Sequence, residues 1–296
     1  MNLENAVVVG LGELLWDIFP EGKKMGGAPA NFSYHTQIFG CQSFIVSSVG
    51  KDGYGDALFD NLQKLNVDAR YIQTCDYPTG SVVVKLDQSK QPHYDIKENV
   101  AWDYIVYDNK IKTLASNCDV VCIGSLAQRC DVSRNTIQNF LKNTSSQCLR
   151  IFDVNLRQSY YNADVIEKTL QSVDIVKMNE EEFPVVEKLL GIRGVDELLK
   201  RYGIQLCTLT LGEKGSLLIT LEKTSKQGIA EIQLVDPVGA GDAFTAALAV
   251  GKLQGLPLEK IHKLANCYAS YVCSKAGATP EVFSEFVKSL WETEGA

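Results

Sequence analysis

Short apolar runs recur along the chain, separated by stretches in which apolar residues return every three or four positions. Residues 6–10, 44–49, 120–124, 150–154, 175–178, 206–211 and 216–221 form the runs, and most are apolar throughout rather than alternating. Strands covered on both faces read this way, because neither face is left for water. Segments 56–65, 133–142, 163–171, 195–202, 240–253, 258–274 and 280–291 carry the helical period. Alternation of the two kinds over almost the whole length predicts an α/β fold, a doubly wound, mostly parallel sheet flanked by helices.

One region breaks the rhythm. Residues 81–87 read as a strand, 88–92 as a polar turn and 93–97 as a returning strand. Two strands with no helix between them pair antiparallel, and a parallel core cannot use such a hairpin directly. An isolated hairpin is marginal in water, so it needs support. The expected home is a small antiparallel lid built from about 16–25 and 81–102 over one edge of a single domain spanning 1–296. No Pro/Gly/Ser-rich linker and no internal repeat divides the chain.

With 29 Lys+Arg against 36 Asp+Glu the net charge is −7, which argues against a nucleic-acid or anionic-membrane partner. No apolar stretch approaches the roughly 18 residues of a membrane span, and the first residues lack the features of a secretory leader. Nine cysteines are scattered without a CxxC pair, so buried free thiols in a reducing cytoplasmic setting are expected. Three histidines offer no basis for a His-based metal centre. Gly10-Leu11-Gly12 follows a strand, but a dinucleotide fingerprint needs a third glycine where Leu15 stands. GxxxxGK[ST], HExxH and GxSxG are absent.

The most informative segment is Val235-Asp236-Pro237-Val238-Gly239-Ala240-Gly241-Asp242. An apolar strand over 232–235 is expected to run into a loop of small residues, followed at once by an Ala-rich helix. Gly239, Ala240 and Gly241 would leave backbone amides bare at a positive helix end, which makes an anion cradle. Asp242 falls in the first helical turn beside it. A carboxylate next to an anion hole suits phosphoryl transfer, taking a hydroxyl proton while amides stabilise the migrating group. The alternative is an aspartate that only caps the helix.

This segment resembles the C-terminal signature of the ribokinase/PfkB family of carbohydrate kinases, and Gly26-Gly27-Ala28-Pro29-Ala30-Asn31 resembles that family's N-terminal sugar motif. Asp153-Val154-Asn155-Leu156-Arg157, Asn179-Glu180-Glu181-Glu182 and Thr210-Leu211-Gly212-Glu213-Lys214-Gly215 follow in the family's order. Gly12-Glu13-Leu14-Leu15-Trp16-Asp17 looks most like the fructokinase branch. The resemblance implies a kinase that uses ATP and Mg2+ to phosphorylate a primary hydroxyl of a small sugar, most naturally fructose. It makes Asp242 the general base and the amides of Gly239, Ala240 and Gly241 the anion hole. Asp17, Gly26, Gly27 and Asn31 would bind the sugar, together with Asp242. Asn179, Glu182, Thr210, Gly212, Gly215, Gly241 and Asn266 would bind ATP, with Glu182 reaching Mg2+ through water. A monovalent cation, K+, would sit at Asp236 with carbonyls of Val238, Val272, Lys275 and Gly277, although Pro237 and Glu281 depart from the family pattern.

Ribokinase, 2-keto-3-deoxygluconate kinase, nucleoside kinase and phosphosugar kinase activities remain open, as does a non-catalytic sugar or nucleotide sensor. A phosphosugar would need a basic cluster, which Lys23, Lys24 and Lys97 would supply. Arg157 would meet a phosphate or a substrate acid, or form a surface ion pair. Specificity is expected from lid residues His93, Tyr94, Ile96 and Trp102, and an apolar lid face would favour a homodimer.

Overall fold

The computed structural model describes residues 2–86, 92–230 and 232–292. In chain order come β1 (Val7–Leu11), β2 (Leu15–Phe19), β3 (Gly22–Gly26), α1 (Ala28–Ile38), β4 (Gln42–Gly50) and α2 (Gly53–Lys64). Next are β5 (Ile72–Cys75), β6 (Gly80–Leu86), β7 (Pro92–Ile96), α3 (Asn109–Asn117), β8 (Val120–Gly124) and α4 (Asp131–Asn143). They lead to β9 (Leu149–Asp153), α5 (Ala163–Leu170), β10 (Ile175–Asn179), α6 (Glu182–Leu190), α7 (Val195–Tyr202) and β11 (Leu206–Thr210). The chain ends with β12 (Ser216–Ile219), β13 (Thr224–Gln227), α8 (Ala240–Leu253), α9 (Leu258–Cys273) and α10 (Ser284–Glu292).

Nine strands form one sheet in the order β13-β12-β11-β10-β9-β8-β1-β4-β5. Its ladders are parallel except for those β12 makes with β11 and β13. The order grows outward from β1 in both directions, so the crossover helices fall on both faces. Successive side chains of one strand therefore enter different cores. Val121, Ile123, Phe152 and Val176 pack with the helices α3 to α7. Val8, Cys122, Ile151 and Ile175 pack with α1, α8, α9 and α10. By the same alternation Asp153 and Lys177, two positions beyond Ile151 and Ile175, point toward α8.

Helix α1 carries no apolar stripe that the sequence could betray. Eight of its eleven residues are buried, among them Asn31, Ser33, His35 and Thr36. It lies so close to β1 that a Cβ on Gly10 would come within 2.0 Å of the Pro29 carbonyl. Pro29 itself is tolerated because it stands in the first turn, where its missing N–H is not needed.

A second sheet has the order β3-β2-β6-β7. Its β2–β3 and β6–β7 ladders are antiparallel and its central β2–β6 ladder is parallel. Leu14, Trp16 and Met25 pack beneath it with Leu58 and Leu62 of α2. Of the expected turn, residues 88–91 lie outside the described residues, while Pro92 already belongs to β7.

The expected strand over 232–235 does not form. Residues 232–235 are irregular and Leu234 and Val235 are exposed; the amides of Val235 and Asp236 donate instead to the Cys273 carbonyl at the end of α9, at 2.9 and 3.1 Å. Residues 232–235 are mostly apolar like a strand, but no strand among the described residues pairs with them. Trp102 also departs from expectation. It is fully buried, its ring stacks against the Arg129 guanidinium at 3.9 Å, and a Cβ on Gly80 would strike its indole nitrogen at 2.3 Å. A residue so enclosed is core, and Ile96 is buried with it. His93 stands on β7, as does Tyr94.

Candidate active site

The chemistry-bearing residues gather where the parallel strands end, the edge at which open α/β sheets bind ligands. Helix α8 begins there. Gly239 caps it in a left-handed conformation (φ 82°), and a Cβ at that position would lie 2.6 Å from the Ala278 Cα. Only glycine fits such a site. Of the three amides expected to form the anion hole, that of Ala240 donates to the Pro237 carbonyl at 3.2 Å. Those of Gly239 and Gly241 find no acceptor among the described residues. The cradle is therefore narrower than the sequence suggests, and sits on the two glycines.

Asp242 lies in the first turn of α8, where its Oδ2 accepts a hydrogen bond from Asn31 Nδ2 at 2.8 Å. The expected base and the expected sugar-binding amide, separated by 211 positions, are thus in direct contact. Burial pushes the Asp242 carboxyl up from 3.8 to about 7, and the nearby Asp153 adds to this. The Asn31 hydrogen bond, Lys177 and Arg157 pull the other way. A carboxyl balanced near neutrality is suited to receive a proton.

Beneath the glycines lies a buried ion pair. Lys177 Nζ meets Asp153 Oδ1 and Oδ2 at 2.9 and 2.8 Å, and Thr245 Oγ1 donates to Asp153 Oδ2 at 3.2 Å. A Cβ on Gly241 would lie 3.0 Å from the same ammonium. Burial alone would lower the Lys177 pKa; Asp153, Glu182 and Asp242 outweigh it and hold the group above its ordinary range. One ammonium thus faces three carboxylates, an arrangement that favours added positive charge.

Among the residues expected to bind sugar, Asp17 of β2 lies against Gly26, where a Cβ would sit 2.2 Å from its Oδ2. Burial pushes this carboxyl to about 6, with Arg157 and Lys24 opposing. Gly27 caps α1 at φ 111°, and a Cβ there would meet the Glu13 carbonyl at 2.3 Å. Asn31 is buried, with Oδ1 lacking a partner among the described residues. Arg157, exposed just beyond β9, faces Asp17, Glu13 and Asp242.

On the other side of α8, Asn179 and Glu182 cap one another. Asn179 Oδ1 accepts the amides of Glu181 and Glu182 at 2.9 and 2.8 Å, while Glu182 Oε2 accepts the Asn179 amide at 2.8 Å. Glu182 Oε1 takes the Leu156 amide at 2.9 Å. With both oxygens engaged, Glu182 fits a cation best through water rather than by direct ligation. Thr210, Gly212 and Gly215 form the turn between β11 and β12, and the two glycines have positive φ of 56° and 94°. Asn266 of α9 accepts Ser216 Oγ at 2.8 Å, and its buried Nδ2 has no partner among the described residues.

Comparison with known proteins bears directly on this arrangement. The model of the pfkB family of carbohydrate kinases matches residues 18–283. The chain belongs to this family. A sugar kinase of Pyrococcus horikoshii, PH1459, is 34% identical over 298 residues, covering 94% of this chain and 93% of its own. Its crystal structure superposes with a TM-score of 0.85 at 31% identity, covering 96% and 97% of the two chains, and it has also been crystallised in complex with ATP. An ATP-dependent 6-phosphofructokinase of Thermoanaerobacterium thermosaccharolyticum is 29% identical, covering 91% of this chain and 85% of its own. A fructokinase of Salmonella typhimurium is 26% identical, covering 86% and 87%. The chain is a carbohydrate kinase, an enzyme that transfers phosphate to a sugar hydroxyl.

Two residues of this PfkB kinase site escaped the motif reading. Lys177 was visible as a charge inside an otherwise apolar strand, a placement that survives only with a buried partner. Glu13 is buried, its Oε2 has no partner among the described residues, and burial together with Asp242 raises its carboxyl to about 7 against the opposing pull of its own amide, Arg157 and the Ala28 amide. Its signal was an acid two positions after the apolar run of β1.

Proposed function

We propose that this carbohydrate kinase uses ATP to phosphorylate the primary hydroxyl of a small unphosphorylated sugar, fructose. The observation that carries the reading is Asp242, bonded to Asn31 beside the two bare glycine amides. A hydroxyl held by Asn31 and Asp17 gives its proton to Asp242 as it attacks the γ-phosphorus in line, breaking the bond to the β,γ-bridging oxygen so that ADP leaves. The amides of Gly239 and Gly241 receive the charge that develops on the transferred group. Bound with the nucleotide, Mg2+ supplies charge neutralisation, and the carboxylate-rich surroundings of Lys177, with Glu182 reaching it through water, suit a divalent cation. Asn179, Thr210, Gly212, Gly215 and Asn266 line the nucleotide side. The four-stranded sheet serves as the lid that shuts water out.

Charge supports an unphosphorylated acceptor. Lys23 lies over the rings of Trp16 and Tyr54 at 4.3 and 4.5 Å, Lys24 is 3.6 Å from Asp236, and Lys97 is 2.7 Å from Asp95. The three lysines that would have held a second phosphate are each engaged elsewhere. The sugar pocket itself holds Glu13, Asp17 and Asp242 around one arginine, which repels a dianion.

The test is sugar-dependent ADP release measured across fructose, ribose, 2-keto-3-deoxygluconate, nucleosides and fructose 6-phosphate. Fructose is expected to give the highest kcat/KM. A higher value with fructose 6-phosphate would overturn the choice of acceptor, and no release with any of them would favour a sensor.

A further inference from the structure

Lys24 stands on β3, opposite Asp17 in the β2–β3 ladder. Its ammonium lies 3.6 Å from Asp236 Oδ2, across the gap between the small sheet and the loop that leads into Gly239. Asp236 is where the family resemblance would put a potassium ion. Its carboxylate is already committed: Oδ1 accepts the Val238 amide at 3.1 Å, and Oδ2 accepts the Gly277 amide at 2.9 Å. The Val272 carbonyl, another of the implied ligands, accepts the Lys275 amide at 2.9 Å. A monovalent cation placed here would also meet the Lys24 charge. With the Lys24 ammonium in place, these residues do not suit a potassium site.

The same contacts show why a positive charge is useful there. Asp236 ties the loop before α8 to Gly277, next to the Ala278 against which Gly239 packs. An uncompensated carboxylate at that point would oppose phosphate groups arriving at the glycine amides. We infer that Lys24 is a tethered cation that takes the place of the monovalent ion at Asp236, neutralising it beside the anion hole and freeing turnover from any need for potassium. The ammonium also lies 5.5 Å from the Phe19 ring, so its position is held from the sheet side as well. Lys24 is half exposed, and an ion pair of this kind adds little to stability. Its effect belongs to phosphate handling, which rests on the kinase reading above.

The experiment compares wild type, Lys24→Arg and Lys24→Met in potassium, sodium and tetramethylammonium chloride at equal ionic strength. Wild type and Lys24→Arg are expected to turn over equally in all three salts. Lys24→Met is expected to lose about tenfold in tetramethylammonium, less than the loss of a direct transition-state donor, and to regain turnover in potassium. That regain separates neutralisation of Asp236 from the influence of Lys24 on Asp17, which potassium would not restore. Several-fold activation of wild type by potassium, or a Lys24→Met enzyme indifferent to salt, would overturn the inference. ATP-induced shifts in melting temperature, recorded in the same salts, give the answer without turnover: only Lys24→Met should bind ATP more tightly in potassium. If no sugar releases ADP, the melting data still decide the role of Lys24 while the acceptor assignment fails on its own.

Discussion

Replacing Asp242 with Asn should remove catalysis and strengthen the fold in one step. The substitution keeps an oxygen to accept the Asn31 hydrogen bond, now 2.8 Å long, and removes only the charge. Burial raises this carboxyl from 3.8 to about 7. A rise of about 3 units at 1.36 kcal/mol each corresponds to about 4 kcal/mol, and because the residue is only half-buried solvent screening trims it to about 2 kcal/mol. The folded-state pKa is raised, so the contribution is fully present below about 4 and is lost as pH climbs to about 7. Wild-type protein without ligands should therefore weaken over that window more than Asp242→Asn, in which Glu13 and Asp17 still titrate. Above pH 7 the variant should melt about 4 °C higher, and the difference should close toward pH 4. Glu13, raised in the same direction, is common to both proteins, and losing the Asp242 charge relieves it further. Turnover of the variant should fall by orders of magnitude with ATP binding nearly intact, and wild-type kcat/KM should decline as pH drops below about 7. Melting curves from pH 5 to 8.5 and ADP release decide the matter. A variant that melts lower than wild type at pH 8, or one that turns over normally, would refute the assignment of Asp242 as a half-buried base.

Three further substitutions probe the surroundings. Lys177→Met leaves Asp153 buried with Thr245 as its one remaining side-chain partner among the described residues and should cost about 3–5 kcal/mol in denaturant melts, part of it recovered by adding Asp153→Asn; no loss would mean the pair is solvated. Gly239→Ala forces a Cβ into Ala278 at φ 82° and should disable the anion hole, whereas Gly212→Ala, also at positive φ but with its nearest neighbour 3.9 Å away, should cost only about 1 kcal/mol; equal turnover in the two variants would remove the distinction. Arg157→Gln should move the acid limb of the kcat/KM profile to higher pH, since Arg157 lowers Asp17, Glu13 and Asp242 together, and an unmoved limb would place Arg157 outside the field of the site.

Much of the strand–helix alternation was legible because strands buried on both faces must be continuously apolar, and the helices α7 and α8 begin and end where the pattern predicts. Helix α1 was not, because it is buried nearly all round and has no polar face to set its period. Residues 232–235 misled in the opposite sense, being apolar yet exposed, with their amides bound to the end of α9. The glycines of the α8 cap and Asp242 were legible, since a positive-φ cap and a first-turn acid are local features. The Ala240 amide, expected to be bare, donates to the Pro237 carbonyl.

Local chemistry alone thus determined the class of fold, the small-residue cap of α8 and the acid beside it, because caps, turns and strand burial depend on neighbours within a few positions. Tertiary structure decided the rest. Contact between Asn31 and Asp242, the pairing of Lys177 with Asp153 and the reach of Lys24 to Asp236 join residues far apart in sequence, and only the sheet order and the placement of α1 against α8 bring them together. The raised pKa values follow for the same reason: burial and neighbouring charge are properties of the assembled site, which no single segment carries.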